Sequence, residues 1–214
     1  SRRPRTRLWR SGRGTRPGAP APAGGLTRYV PRGTSAPVSE PVNKAGLSVG
    51  KAGNKLRIIP LGGMEEVGRN MMLLEYGDDI VIIDIGLQFP EEDMPGIDYI
   101  IPNISYLRGK EKNIRGVIIT HGHYDHIGGL PHLIPKLGNP PIYALPLTAA
   151  IIQKRQTDFG DALSVKVIKV TDQLIMGVFR VEFVNINHNI PDSMAVVIRT
   201  PEGIVLHTGD FKFD

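Results

Sequence analysis

Thr120-His121-Gly122-His123-Tyr124-Asp125-His126-Ile127-Gly128-Gly129-Leu130 is the stretch that decides how this chain is read. It sets three imidazoles and a carboxylate within six positions, directly after the apolar run Gly116-Val117-Ile118-Ile119. Such a run reads as a buried strand, so the polar cluster falls where a strand ends and a loop begins. Divalent ions of borderline softness take neutral imidazole and carboxylate ligands, and catalytic sites keep one position open for water. Four ligand-type side chains on one tight turn can feed two ions. Solvated loop histidines are the plain alternative for a single residue, and this spacing argues against it.

One loop cannot complete such a site. His188 follows the alternating run Phe179 to Val184, which reads as a strand, within Val184-Asn185-Ile186-Asn187-His188-Asn189-Ile190-Pro191-Asp192-Ser193. Asp210 closes Ile204-Val205-Leu206-His207-Thr208-Gly209-Asp210, again after an apolar strand. Asp84 ends Ile80-Val81-Ile82-Ile83-Asp84. His207 reads as a packed histidine, and His132 lies in an expected helix without a ligand-type neighbour at useful spacing. Both stay outside the ligand set.

The pattern His-x-His-x-Asp-His resembles the signature of the metallo-β-lactamase superfamily at every position. That resemblance implies one metal held by His121, His123 and His188, a second held by Asp125 and His126, and Asp210 bridging them. It puts Asp210 and His188 in the catalytic centre and Asp84 behind them, orienting a ligand or the loop by hydrogen bonds. Two dications acidify a shared water and stabilise the oxygens of a displacement, so the expectation is hydrolysis. The chain has no Cys, which removes any disulfide framework and the thiolate ligand used by many β-lactamases of this superfamily. Asp210 instead fits the bridging position of its glyoxalase and ribonuclease branches.

The flanking segments select among branches. Leu61-Gly62-Gly63-Met64-Glu65-Glu66-Val67-Gly68-Arg69-Asn70 resembles the opening glycine-rich motif of the ribonuclease J family, a β-CASP group of nucleases. Gly86-Leu87-Gln88-Phe89-Pro90-Glu91, Gly96-Ile97-Asp98-Tyr99-Ile100-Ile101-Pro102, Ile190-Pro191-Asp192-Ser193 and His207 to Asp214 extend the likeness from about Leu56 to Asp214. It implies a two-metal ribonuclease, a 5′-to-3′ exonuclease and endonuclease of RNA processing and decay. Zinc is the expected metal, with manganese as the alternative, RNA the expected partner, and a homo-oligomer the expected full-length form. The family also suggests a structural calcium ion near Gly96 and Asp98, although a plain turn at Pro95-Gly96 explains that segment as well. A glyoxalase II-type thioester hydrolase shares the ligand pattern but leaves Gly62–Asn70 and Ile190–Ser193 unexplained. A non-catalytic RNA-binding fragment is the third reading. The β-CASP domain is expected to follow Asp214, so residues 1–214 read as the N-terminal part of a longer enzyme, inactive by themselves.

Charge divides the chain. Residues 1–53 hold 9 Arg and 2 Lys against Glu40, for +10, whereas 54–214 hold 15 basic and 20 acidic residues, for −5, which sum to +5. The first segment is rich in Pro and Gly without apolar periodicity. It is expected to be a disordered extension that attracts RNA phosphates without sequence preference. No apolar stretch approaches the ~20 residues of a membrane span. The compartment expected is the cytoplasm, with an organelle as the alternative if the Arg-rich start is a transit peptide.

Residues 54–214 are expected to form part of an α/β fold, the metallo-β-lactamase αβ/βα four-layer sandwich, incomplete in this chain. Strands are read at Leu56–Pro60, Met71–Tyr76, Ile80–Asp84, Gly116–Thr120, Ile142–Ala144, Val165–Val170, Phe179–Val184, Ala195–Thr200 and Ile204–His207. Helices are read at Ile127–Leu137 and Leu147–Gln156. An open apolar edge is expected in the second sheet.

Overall fold

The computed structural model describes residues 54–160 and 163–213. The basic extension read at 1–53 lies outside the described residues. Strands β1 (Leu56–Gly62), β2 (Met71–Tyr76), β3 (Asp79–Ile83), β4 (Ile114–Ile118), β5 (Ile142–Ala144) and β6 (Val165–Val167) form one sheet in sequence order. The β1–β2 and β2–β3 pairs are antiparallel, and β3 through β6 run parallel. A second, antiparallel sheet has the order β10-β9-β8-β7, from β7 (Leu174–Met176), β8 (Phe179–Asn185), β9 (Met194–Thr200) and β10 (Gly203–His207).

Side-chain alternation assigns each strand's two faces to two cores. Leu73, Ile80, Ile82 and Val117 pack with Leu130, Leu133, Ala149 and Ile152 from the helices α2 (Leu130–Leu133) and α3 (Pro146–Gln156). Leu74, Val81, Ile83 and Ile118 face the other way, onto Phe179, Val181, Phe183, Met194, Val196 and Ile198 of the second sheet. Burial on both faces is why these central strands read as continuous apolar runs. The described residues therefore supply helices, first sheet and second sheet in layers. Among the described residues β10 is an edge strand of the second sheet, and its Ile204 and Leu206 side chains are exposed.

Three expectations are corrected. The helix read at Ile127–Leu137 is broken into α1 (Tyr124–Ile127), α2 and a 3-10 turn at Pro135–Leu137. Gly128-Gly129 is weakly helical, and Pro131 and Pro135 lack the N–H a continuous helix needs, so each proline begins a new turn instead. The strand read to Val170 ends at Val167, because Asp172 Oδ2 accepts the Lys169 N–H at 2.9 Å and folds the chain into a turn. Strand β7 was not expected; three residues show no period, and it exists by pairing with β8.

Candidate metal centre

The ends of four strands meet at one edge. Asp84 follows β3, the His121–His126 loop follows β4, His188 lies between β8 and β9, and Asp210 follows β10. In sheets with parallel strands, ligands gather beyond the strands' carboxyl ends, where neighbouring loops diverge. The two sheets are tied there by backbone bonds from Met194 N–H to Thr120 O at 3.0 Å and from Lys212 N–H to Asn187 O at 2.9 Å.

The β4–α1 loop is locked against the loop after β3. Ile85 N–H donates to His126 O at 2.9 Å, Asn70 N–H to Asp125 O at 3.0 Å and Gly86 N–H to Asn70 O at 2.8 Å. Gly86 lies so close that a Cβ there would stand 1.6 Å from Asp125 O, so only glycine permits this approach. Asp84 takes a left-handed φ of 59°, which turns its carboxylate back under the loop. That carboxylate accepts Thr120 N–H and Thr120 Oγ1–H, each at 2.8 Å, and lies 2.8 Å from His126 Nδ1. Asp84 thus fixes the proton on His126 Nδ1 and leaves Nε2 aimed outward, which is how carboxylates orient ligating histidines.

Five of the six donors read from sequence fall into three-donor groups, and the sixth, Asp125, stands beside His126 outside both. His121 Nε2 lies 3.0 Å from His123 Nδ1, and His188 Nε2 lies 3.2 Å from the same His123 nitrogen. His126 Nε2 is 3.4 Å from both Asp125 Oδ2 and Asp210 Oδ2. Two groups of three donors result, His121/His123/His188 and His121/His126/Asp210, with donor atoms within 4.8 Å of one another in each. His121 belongs to both groups, a sharing the sequence did not suggest. Gly96 and Asp98 lie in an exposed turn closed by Ile97 N–H to Met94 O at 3.3 Å, and no three-donor group forms there among the described residues. His132 stacks on Tyr99 with centroids 4.2 Å apart, and His207 Nδ1 accepts Gly209 N–H at 3.2 Å.

The electrostatics fit a cation. Burial and the charge on His126 push the His121 imidazole down to about 4, against the pull of Asp84 and Asp210. Burial and the facing His188 ring lower His123. Neutral imidazoles with nitrogens converging at hydrogen-bond range form a donor set made for a positive ion. At His126 burial opposes a charge, yet Asp84 and the hydrogen bonds with Asp125 and Asp210 prevail and push it up to about 12. The hydrogen bond with His126 pulls Asp210 down to about 2 despite its burial. Burial acts to raise Asp125, and its hydrogen bond with His126 outweighs this and lowers it. Asp84, Asp125 and Asp210 all address one imidazole, a negative balance that a divalent ion offsets.

Two residues quoted in the motifs but given no role belong to this network. Asn70 Nδ2 donates to Asp125 O at 3.1 Å and Asp125 Oδ2 at 3.2 Å, and lies 3.1 Å from His126 Nε2. Thr120 Oγ1 joins Asp84 to His121 Nδ1, 3.0 Å away. Their places at the edge of a glycine-rich motif and at the head of the histidine turn were the only signals.

The sequence profile of the metallo-beta-lactamase superfamily matches residues 64–214. Ribonuclease J of Thermus thermophilus is 43% identical over 175 residues, which cover 78% of this chain and 30% of that protein. Ribonuclease J of Mycoplasma pneumoniae is 42% identical over 168 residues, covering 78% and 29%. Among solved structures, a protein of unknown function from Enterococcus faecalis V583 superposes with a TM-score of 0.58 at 21% identity, covering 74% of this chain and 44% of that one. The metallo-beta-lactamase fold protein YhfI from Bacillus subtilis gives 0.54 at 20% identity, covering 75% and 65%. At such identities the structural likeness speaks for the fold. The chain spans less than a third of the length of the ribonucleases J it resembles.

Proposed function

Because this chain belongs to the metallo-β-lactamase superfamily, we propose that it carries the metal centre of a ribonuclease J-type enzyme that hydrolyses RNA phosphodiesters. The observation that carries this reading is the convergence of His121, His123, His126, His188 and Asp210 into two donor groups sharing His121. The identity to ribonucleases J, 43% over 175 residues and 42% over 168, supports RNA as the substrate. Zinc suits this imidazole and carboxylate set, and manganese is the second choice. When bound, such ions lower the pKa of water and stabilise charge on phosphate oxygens.

The chain's own residues hold and orient. His121, His123 and His188 form one three-donor group and His121, His126 and Asp210 the other, with Asp125 Oδ2 3.4 Å from His126 Nε2. Asp84 and Thr120 keep the rings of His126 and His121 turned outward, and Asn70 steadies the Asp125 carboxylate. Among the described residues no helix is long and apolar enough to cross a membrane. Action as a 5′-to-3′ exonuclease and endonuclease, and assembly into homo-oligomers, belong to the same proposal for the full-length protein.

The test uses full-length protein with 5′-monophosphorylated RNA, with zinc or manganese supplied and then removed by chelation. RNA degradation that depends on metal and is lost in His123→Ala supports the reading. Degradation unaffected by chelation, or hydrolysis of a thioester such as S-lactoylglutathione with RNA left intact, overturns it.

A further inference from the structure

The loop that carries His188 is held from outside its own sheet. Residues 186–193 link β8 to β9, and the loop closes on itself through Ile186 N–H to Ser193 O at 3.1 Å and Ser193 Oγ–H to Ile190 O at 2.9 Å. Near its end Asp192 adopts φ 60°, the left-handed region that most side chains avoid and that Asp and Asn enter more readily. In that conformation Asp192 Oδ2 accepts the N–H of Leu147 at 2.6 Å, from 45 residues away in sequence.

Leu147 sits in the first turn of α3, where backbone N–H groups have no partner within the helix. The helix cannot supply its own cap. Leu145 at the N-cap position has an apolar side chain and makes no capping bond, and Pro146 has no N–H. Asp192 therefore acts as a remote cap, placing a carboxylate on the positive end of an eleven-residue helix. The same end of α3 also abuts the ligand turn. A Cβ added at Gly122 would stand 2.8 Å from Ile151 Cδ1, 3.5 Å from Ile190 Cδ1 and 3.8 Å from Thr148 Cα, so helix, His188 loop and His121-Gly122-His123 turn meet at one point.

We propose that Asp192 is a positioning residue of the metal centre: by capping α3 it fixes the His188 imidazole against His121 and His123. This rests on the reading that those three imidazoles hold a metal ion. The physical reason is geometric. His188 rides on a loop, while His121 is fully buried in its turn. A loop-borne ligand keeps a set distance from the other two only if the loop is pinned to something rigid that both share. The first turn of α3 is that element.

The experiment titrates full-length protein with zinc against a chromophoric chelator, and separately measures the urea midpoint of chelator-treated protein. Asp192→Asn retains both an acceptor oxygen and tolerance of the left-handed backbone, and its zinc affinity should stay within about threefold of wild type. Asp192→Gly keeps the backbone and deletes the cap, and should weaken zinc binding roughly 10–100-fold, the range typical for partners that orient ligands. In a His188→Ala background the same Asp192→Gly change should add nothing to the loss, because the two residues then act through one contact. A residue that merely supports the helix would lower the urea midpoint and leave zinc affinity within threefold, or would add its full effect on top of His188→Ala; either result overturns the proposal. Should Asp192→Gly not fold, Leu147→Pro, which deletes the N–H that Asp192 accepts in a first helical turn where proline is tolerated, is read by the same comparisons. Wild-type protein that binds neither zinc nor manganese overturns the metal reading and the proposal with it. Zinc binding that is insensitive to Asp192 overturns the proposal alone.

Discussion

The two sheets contribute to the centre in different ways. Three of the first sheet's side chains at the site are sunk into the protein and bonded to one another, His121 at 0% exposed, Asp84 at 1% and His126 at 2%, while His123 and Asp125 are half-buried. Thr120, Asp84 and Asn70 hold them in place from three directions. The second sheet offers His188 from a half-exposed loop and Asp210 with a side chain 46% exposed. Their contacts run to the first-sheet donors, His188 to His123 and Asp210 to His126. One half of the site is built by folding, and the other half closes on it through charge and loop anchoring. Such a division leaves Asp210 and the His188 loop on the more exposed side of the donor cluster.

The comparison first predicts that rigidity and catalytic need do not coincide. His123→Ala and Asp210→Ala, one donor from each half, should both abolish RNA cleavage in the full-length protein. Metal assistance supplies several kcal/mol to such reactions, and each 1.36 kcal/mol is tenfold, so the loss should be on the order of a thousandfold or more. RNA binding should change little, since it rests mainly on phosphate contacts. Steady-state cleavage of 5′-monophosphorylated RNA under metal-replete conditions measures the loss. If Asp210→Ala kept a tenth of wild-type turnover, the exposed half would be dispensable.

Stability should separate the halves. Asp84→Ala removes the acceptor of Thr120 N–H and Oγ1–H and leaves the buried Nδ1 of His126 without its partner. Breaking a buried pair in this way costs about 3–5 kcal/mol. His188→Ala removes a half-exposed ring and should cost within about 0.5 kcal/mol, as surface changes do. Urea unfolding of chelator-treated protein compares them. Equal losses would mean that the first sheet's network is no firmer than the loops of the second.

A finer test lies within the buried half. Asn70→Ala takes away the donor that steadies Asp125 and abuts His126. It should weaken metal binding by roughly 10–100-fold at the Asp125/His126 side, with about 1 kcal/mol of stability lost. Zinc titration resolving two affinities reads this directly: the tighter or weaker step that shifts identifies the ion held by Asp125 and His126. A shift in both steps would show that the two donor groups, which share His121, are coupled rather than separate.

These residues also mark where sequence was readable. The ligand turn was legible because four donors fall on one short segment, and a local pattern needs no fold to be seen. The central strands were legible because burial on both faces leaves unbroken apolar runs such as Ile80 to Ile83. His188 and Asp210 were found through their order and flanking motifs, which stand at strand ends. Asn70 and Asp192 stand within recognisable motifs, but nothing local shows what each does, since their partners lie 55 and 45 residues away. The break between α1 and α2 was obscured because the apolar spacing of Ile127, Leu130 and Leu133 is helical, while Gly128, Gly129 and Pro131 interrupt it. Periodicity reports which residues are buried, and backbone donors decide whether one helix does the burying.

The smallest expected effect on metal binding serves as a control on the comparison, at a buried carboxylate outside the donor network. Glu75, on β2, accepts hydrogen bonds from Tyr106 and from Lys110 Nζ, the latter at 3.0 Å, with Arg57 3.7 Å away. Burial acts to raise its pKa, but the Tyr106 and Lys110 bonds and the charges of Lys110 and Arg57 outweigh it, so the folded value lies below the ordinary one. A carboxylate with a depressed folded pKa contributes stability in full above its unfolded pKa of about 4.3, and that contribution fades as pH falls through the folded value. Glu75→Gln should therefore cost about 1–3 kcal/mol near neutral pH, the scale of hydrogen bonds to a charged group, and progressively less as the solution is acidified below about pH 4. Urea midpoints of wild type and variant across that range should converge on the acid side. Zinc affinity should not move at neutral pH, because none of the donors bonds to Glu75. If it did move, the rigidity of the ligand turn would be drawn from the whole first sheet, and the line between its scaffold and its metal network would have to be redrawn.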